Sequence, residues 1–207
     1  MTNRIFPLVV LDMPPSKSAP TETQAQLRAG ARAARVALGE RQRCIASERI
    51  ESAVAHSNVF ARTSLIGCYL SCNSEVDTWG IIARAWRMNK RIFAPVTGKS
   101  GSMQFQEITP DSVLRRSHFG ILEPVGGEIL SPRKLQIVLT PLVAFDAANN
   151  RIGMGGGFYD RTFAFLKHRK ALLQPKLVGL AFACQQVEHI PANPWDIRLY
   201  SIITEIT

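Results

Sequence analysis

Residues 135–169 read "LQIVLTPLVAFDAANNRIGMGGGFYDRTFAFLKHR". The run begins as a strand apolar enough to be buried on both faces, 135 to 140. A loop with Gly153, Gly155, Gly156 and Gly157 follows, and then a helical pattern through 158–169. Strands alternating with helices are the unit of parallel α/β sheets. In such sheets ligands bind beyond the carboxyl ends of the strands. Glycine lets the backbone take positive φ and come close to an anion, and a helix start offers unpaired N–H groups. The stretch therefore predicts a fold class and a phosphate site. A structural turn rich in glycine is the plainer reading.

The pattern repeats outward. "SLIGCYL" (64–70), "RIFAPV" (91–96), "KLVGLAF" (176–182) and "YSIITEI" (200–206) read as strands, and "MQFQEI" (103–108) alternates like a partly exposed one. "DTWGIIARAWRMN" (77–89) is amphipathic and helical, whereas residues 110–132 are rich in turn formers and read as irregular. Two helices precede the first strand, over 21–38 and 41–57. Thr21 with Gln24 has the spacing of a capping box, and Gly39 is a candidate helix stop. The expected fold is α/β, three layers with helices on both faces of a largely parallel sheet and the N-terminal helices packed on it. One domain is expected over 21–207. Residues 1–20 are expected to be a loose extension, because a proline interrupts "IFPLVVL" and no small-residue cleavage site follows.

The chain has 207 residues with 46% hydrophobic and 20% charged, values that suit a core-bearing globular protein. No apolar run reaches the length of a membrane span, so a membrane is not an expected partner. The net charge of +9 attracts polyanions. It is spread out, with much of it between Arg28 and Arg49, where Arg28, Arg32 and Arg35 recur at helical spacing. A solvated helix face and an anion-binding face are both compatible with that pattern. Cys44, Cys68, Cys72 and Cys184 form no C-x-x-C pair, and the four histidines form no H-x-x-x-H pattern, so a zinc site is unsupported. The default compartment is the cytoplasm.

Two common nucleotide loops do not fit. "TGKS" (97–100) has the tail of a Walker loop, but Phe93 holds the first glycine position. Gly153 and Gly155 begin a dinucleotide fingerprint, but Phe158 stands where its last glycine belongs. Asp160, in the first turn of the helix after the loop, is either a dipole-favoured helix start or a Mg2+ ligand beside phosphates. Asp196 in "NPWDIRL" is either a turn residue or the second carboxylate. Glu75 follows the first strand's carboxyl end, where a carboxylate can pair with the donor nitrogens of a heterocycle or simply be solvated.

"LTPLVAFDAANNRIGMGGGFYDR" resembles the signature of the 5-formyltetrahydrofolate cyclo-ligase family, also called methenyltetrahydrofolate synthetases. The likeness extends to "YLSCNSEVDT", "HFGILEP" and "NPWDIRL", an ordered set over roughly residues 24 to 203. The resemblance implies ATP- and Mg2+-dependent closure of 5-formyltetrahydrofolate to 5,10-methenyltetrahydrofolate by a cytoplasmic monomer. It implies that Arg151, Ile152, Gly153, Met154, Gly155, Gly156, Gly157, Phe158 and Tyr159 hold the ATP phosphates. Met154, Gly155, Gly156, Gly157 and Phe158 would also border the folate. Asp160 and Asp196 correspond to Mg2+ ligands, Glu75 to the carboxylate that grips the folate ring, Leu70 to a residue packed nearby and Phe119 to an aromatic cover. Arg28 corresponds to a phosphate-contacting arginine. Gln24 stands where the family often has a phosphate-binding lysine, so Arg32 or another cation supplies that charge or ATP binds less tightly. The positive charge suits polyglutamylated folates, which are polyanions. Two other readings remain: a nucleic-acid binder that uses the arginine helix, with steep salt dependence, and a folate-binding relative weakened by Gln24. The first leaves the glycine loop unexplained, so nucleic acid is not an expected partner.

Overall fold

The computed structural model describes residues 23–98, 101, 103–118, 120–169 and 174–207. The expected extension over 1–20, Thr21 and Phe119 lie outside the described residues.

Side-chain alternation sorts the central strands onto two faces. Strands β1 (Leu65–Cys68), β2 (Arg91–Thr97), β7 (Ile137–Pro141), β10 (Lys176–Leu180) and β11 (Ser201–Ile203) run parallel, while β3 (Met103–Ile108) is antiparallel to β2 and to β6 (Ile129–Leu130). The order is β11-β10-β7-β1-β2-β3-β6. On one face Ile66, Cys68, Ile92, Ala94, Ile137, Leu139, Val178 and Leu180 form a core with α2 (Glu40–His56), α3 (Asn58–Ala61) and α4 (Trp79–Arg87). On the other face Phe93, Phe105, Val138 and Leu177 pack with Phe163 of α5 (Phe158–Phe163) and with Leu142, Ile197 and Leu199. Burying a side chain such as Phe163, 0% exposed, is worth about 1.5–3 kcal/mol. The fold is α/β with helices on both faces of a mostly parallel sheet, as the alternation predicts.

α1 (Gln24–Ala37) lies on a different support. Its Leu27 and Ala31 pack against Val143, Ala144, Ile152 and Ile190, around the hairpin of β8 (Ala144–Phe145) and β9 (Arg151–Ile152). That hairpin interrupts the expected passage from β7 to the glycine loop. It is built on Asp146, 2% exposed, whose carboxylate accepts from the backbone of Ala148, Asn150 and Ile190 and from the Asn150 side chain. Burial pushes that carboxyl up, but the four hydrogen bonds outweigh it and hold it low.

Three local expectations need correction, and a fourth gains a second role. "TETQAQ" carries the Thr-x-x-Gln spacing twice, and the helix uses the second: Thr23 and Gln26 form the capping box, not Thr21 and Gln24. Gly39, at φ +74° directly after the last residue capping α1, is the expected stop, and it also leads straight into α2, with only Leu38 and Gly39 between the two helices. Residues 110–132 are not irregular throughout: β4 (Val113–Arg116) and β5 (Leu122–Val125) form a hairpin. Glu123 of that hairpin anchors it by accepting from the backbone N–H and hydroxyl of Thr97 at 3.0 and 2.7 Å. The helix expected over 158–169 is one α-helical stretch followed by a 3-10 segment, Ala164–His168. Among the described residues no helix is long and apolar enough to cross a membrane.

Candidate active site

From β1 the chain proceeds to β2 on one side, and β7 returns on the other side of β1. The carboxyl ends of β1 and β7 therefore flank a topological switch point, where α/β sheets leave a crevice. The loop after β1 carries Glu75. The chain after β7 leads through the hairpin to the glycine loop.

The glycine loop needs its glycines at two points. Gly155 sits at φ +104°, and Gly157, the residue before α5, sits at φ +63°. Both are costly for an L side chain. α1 holds the loop from outside: Arg28 Nε donates to Gly153 O at 2.9 Å, and an Arg32 guanidinium nitrogen lies 3.4 Å from Met154 Sδ.

The floor is a buried ion pair. Arg151, its side chain 4% exposed, donates through Nη2 to Asp160 Oδ1 at 2.8 Å and through Nη1 to Ile197 O. Ile197 N donates to the same Asp160 oxygen at 3.0 Å. This triangle ties the glycine-loop segment to residues 193–197 and brings Asp196 close to Asp160. Asp196 Oδ2 accepts from Asn193 N at 2.8 Å, within its own turn. Gln24, Arg28, Arg151, Ile152, Gly153, Gly155, Gly157, Asp160 and Asp196 share one cavity of about 630 Å3. Met154, Gly156, Phe158 and Tyr159 do not line it. The cavity also contains Arg161 and Lys167, so four full cations face two carboxylates. That balance and depth suit a polyphosphate. Two hard carboxylates with open lone pairs suit Mg2+, which takes the rest of its shell from phosphate and water. Among the described residues no three His, Cys, Asp or Glu side chains cluster as a protein-only metal cage.

The Glu75 side is different. Cys72 N donates to Glu75 Oε2 at 3.1 Å, and Glu75 N donates back to Cys72 O at 3.1 Å. Burial raises the Glu75 carboxyl above its ordinary 4.5, against the lowering pull of the Cys72 N–H and thiol, both donating to it, and of Arg35. Leu70, 2% exposed, belongs to the core beneath this loop together with Tyr69 and Val76. Burial pushes the Cys68 thiol up to about 12 and the Cys72 thiol up to about 11, so neither is a thiolate nucleophile near neutral pH. Tyr159 reaches toward this side. Its hydroxyl is buried and has no hydrogen-bond partner among the described residues, and its ring stacks on Phe163 at 6.1 Å between centroids. Burial, then the nearby Glu75 and Cys68, hold its proton on, with Arg151 pulling the other way. An unpaired buried hydroxyl costs about 1–3 kcal/mol.

Several residues at the site take a place that the sequence did not assign them, Arg35 among them, which reads there only as part of the arginine stripe. Arg35, 5% exposed, continues the buried stripe of Leu27 and Ala31 and donates to Ser74 Oγ at 3.0 Å beside Glu75. A cation at an apolar stripe position was the available signal. Lys167, His168 and Trp195 line the cavity; Trp195 is 66% exposed, and only its neighbour Asp196 marked that segment.

The chain matches the model of the 5-formyltetrahydrofolate cyclo-ligase family over residues 20–205. It is 39% identical to the 5-formyltetrahydrofolate cyclo-ligase of Haemophilus influenzae over 142 residues, 67% of this chain and 74% of that one. It is 40% identical to the enzyme of that name from Escherichia coli K12 over 143 residues, 67% and 76% of the two chains. The 5,10-methenyltetrahydrofolate synthetase of Aquifex aeolicus, solved by NMR, superposes with a TM-score of 0.76 at 29% identity over 89% of this chain and 90% of that one. A Mycoplasma pneumoniae 5,10-methenyltetrahydrofolate synthetase shares the fold, with a TM-score of 0.69 at 22% identity over 88% and 98%. By these matches the chain belongs to the 5-formyltetrahydrofolate cyclo-ligase family.

Proposed function

We propose that the two walls divide the labour of ATP-dependent conversion of 5-formyltetrahydrofolate to 5,10-methenyltetrahydrofolate. The chemistry sets the division. A formamide carbon is a poor electrophile because its nitrogen donates into it, and its oxygen is the nucleophilic end. That oxygen attacks the γ-phosphorus of ATP, and the bond to ADP breaks. N10 of the same folate then attacks the activated carbon, phosphate leaves with the former formyl oxygen, and N10 sheds its proton. The protein's part is to hold two substrates in line and balance phosphate charge.

The glycine loop, Arg28 and Arg151 hold the phosphates, with Lys167 and Arg161 adding charge. Asp160 and Asp196 are the residues that would hold Mg2+, whose contribution is to neutralise phosphate oxygens. Glu75 accepts from ring N–H groups of the folate. Gly156 and Phe158, turned from the cavity, border the folate. One observation carries this assignment. Residues 151–160 wall the phosphate cavity through Arg151 and Asp160, and their Tyr159 hydroxyl, buried beside this wall, lies within electrostatic reach of Glu75. A single segment thus lies where γ-phosphate and formyl group must meet. Both walls come from one chain, which suits a monomer. Four free cysteines suit the cytoplasm.

The nucleic-acid reading gains no support: Arg28 and Arg32 turn toward the glycine loop, and Arg35 is buried. The test is absorbance of the methenyl product with 5-formyltetrahydrofolate, Mg2+ and ATP. Folded protein that gives no ATP-dependent product would sink the assignment.

A further inference from the structure

We infer that the Tyr159 hydroxyl is a folate-binding donor, paired with the ring's 4-oxo oxygen, rather than a contact to ATP. Three observations converge. The hydroxyl is buried without a partner. Tyr159 does not line the phosphate cavity, although Gly157 and Asp160 on either side of it do. Ionisable groups around it are Glu75, Cys68 and Tyr69 toward the loop after β1 and Arg151 toward the phosphate side, so it stands between the two. A buried donor left open in the free protein asks for an acceptor from a ligand.

The order of groups on the ring identifies the acceptor. This step rests on Glu75 holding ring N–H groups, as proposed above. Along the pteridine edge from N3–H toward the reacting centre come the 4-oxo oxygen and then N5 with its formyl group. A donor between Glu75 and the phosphate site meets the 4-oxo oxygen first. Glu75 and Tyr159 then form an acceptor–donor pair that matches the N3–H and C4=O pair. No proton is transferred; the phenol keeps its proton at neutral pH. Selectivity follows. A 4-amino folate presents a donor to a donor, and a site built to bond one group rejects the analogue that cannot return the bond.

Tyr159→Phe removes only the oxygen. Its KM for 5-formyltetrahydrofolate is expected to rise about tenfold while its KM for MgATP stays within twofold. The second readout is competition by 4-amino-4-deoxy-5-formyltetrahydrofolate against 5-formyltetrahydrofolate. Wild type should favour the 4-oxo compound, and the variant should lose about tenfold of that preference; what remains is the share of Glu75, since the 4-amino compound also lacks the N3–H. The thermal midpoint of the free variant should match or exceed wild type, since it loses an unpaired polar group. An unchanged 4-oxo preference, or a rise in the ATP KM in place of the folate KM, overturns the inference. Wild type serves as the control for the reaction itself: if it makes no methenyl product, the cyclo-ligase assignment fails instead.

Discussion

The two walls of the crevice recognise by different physics. The glycine-loop wall is an open cavity with four cations, two carboxylates and backbone shaped by positive φ. The Glu75 wall is a tight loop after β1 with one carboxylate whose charge is disfavoured by burial, beside an unpaired hydroxyl. On the proposed reading the first recognises charge, and the second a pattern of donors and acceptors. Substitutions on the first wall should therefore read out in ATP, Mg2+ and salt, and those on the second in folate and pH.

Asp160 and Asp196 separate charge from architecture within the first wall. Asp160→Asn should lower kcat by about 1,000-fold, the scale of losing a preorganised charge at the reacting phosphate. It should also lower the melting temperature by roughly 4–8 °C, because the buried Arg151 keeps an amide acceptor but loses its counter-ion. Among the described residues Asp196 bonds only within its own turn. Asp196→Asn should therefore cost about 100-fold in kcat and demand more Mg2+, with little change in melting temperature. Equal stability loss in both variants would break the distinction.

On the second wall, Glu75→Gln should raise the KM for 5-formyltetrahydrofolate about 100-fold, as a charge-assisted bond pair becomes a mismatched amide, with the ATP KM unmoved. The pH dependence has a definite sign. A carboxyl raised in the folded state binds its proton more tightly there than in the unfolded chain. The free enzyme is therefore stabilised by this group below 4.5 and loses that share as pH rises toward the elevated value. Folate binding runs the opposite way, since ring N–H groups need the carboxylate. The inverse folate KM should climb across the same window in wild type and stay flat in Glu75→Gln. Matching pH profiles for the two proteins would refute the Glu75 role.

The difference between the walls also explains what could be read in the sequence. Positive-φ glycines and helix-start carboxylates are local, so the loop, Asp160 and the strand before it were legible from residues 135–169. The parallel sheet was legible because β1, β7 and β10 are buried on both faces and must be nearly all apolar. The Glu75 wall is tertiary. Arg35 sits on α1, Tyr159 reads as one more residue at a helix start, and what joins them to Glu75 is packing across the sheet's switch point. The β8–β9 hairpin was missed because two-residue strands give no periodicity, and its organiser Asp146 is a single buried carboxylate. Gln24 and Arg28 were placed only through resemblance, yet the structure sets both on the cavity.

Arg28→Ala tests how much of the first wall's attraction comes from α1. Arg28 donates to Gly153 O, so its removal loses both a cation and a brace for the loop. The ATP KM should rise about tenfold with the folate KM within twofold, and the effect should shrink in high salt. Arg28→Lys should recover part of it, because charge is restored but the Nε contact to the loop is not. Failure of salt to compress the difference would make Arg28 a brace alone.

The smallest effect expected is at Gln24. Its side chain donates to Pro191 O at 2.9 Å and lines the cavity beneath the glycine loop one helical turn before Arg28. Gln24→Lys restores the charge that the family often carries there. The gain is bounded: Arg28, Arg151, Arg161 and Lys167 already surround the site, and a partly exposed fifth cation adds only screened attraction. The ATP KM should fall about three-fold at low salt and hardly at all at high salt, with the folate KM unchanged. A much larger gain would mean that the four existing cations are spent on the protein's own carbonyls and Asp160. Several of those bonds are present: Arg161 on Gly101 O and Gly156 O, Lys167 on Pro194 O, and Arg151 on Ile197 O. The size of the response therefore measures how much positive charge this wall keeps free for phosphate.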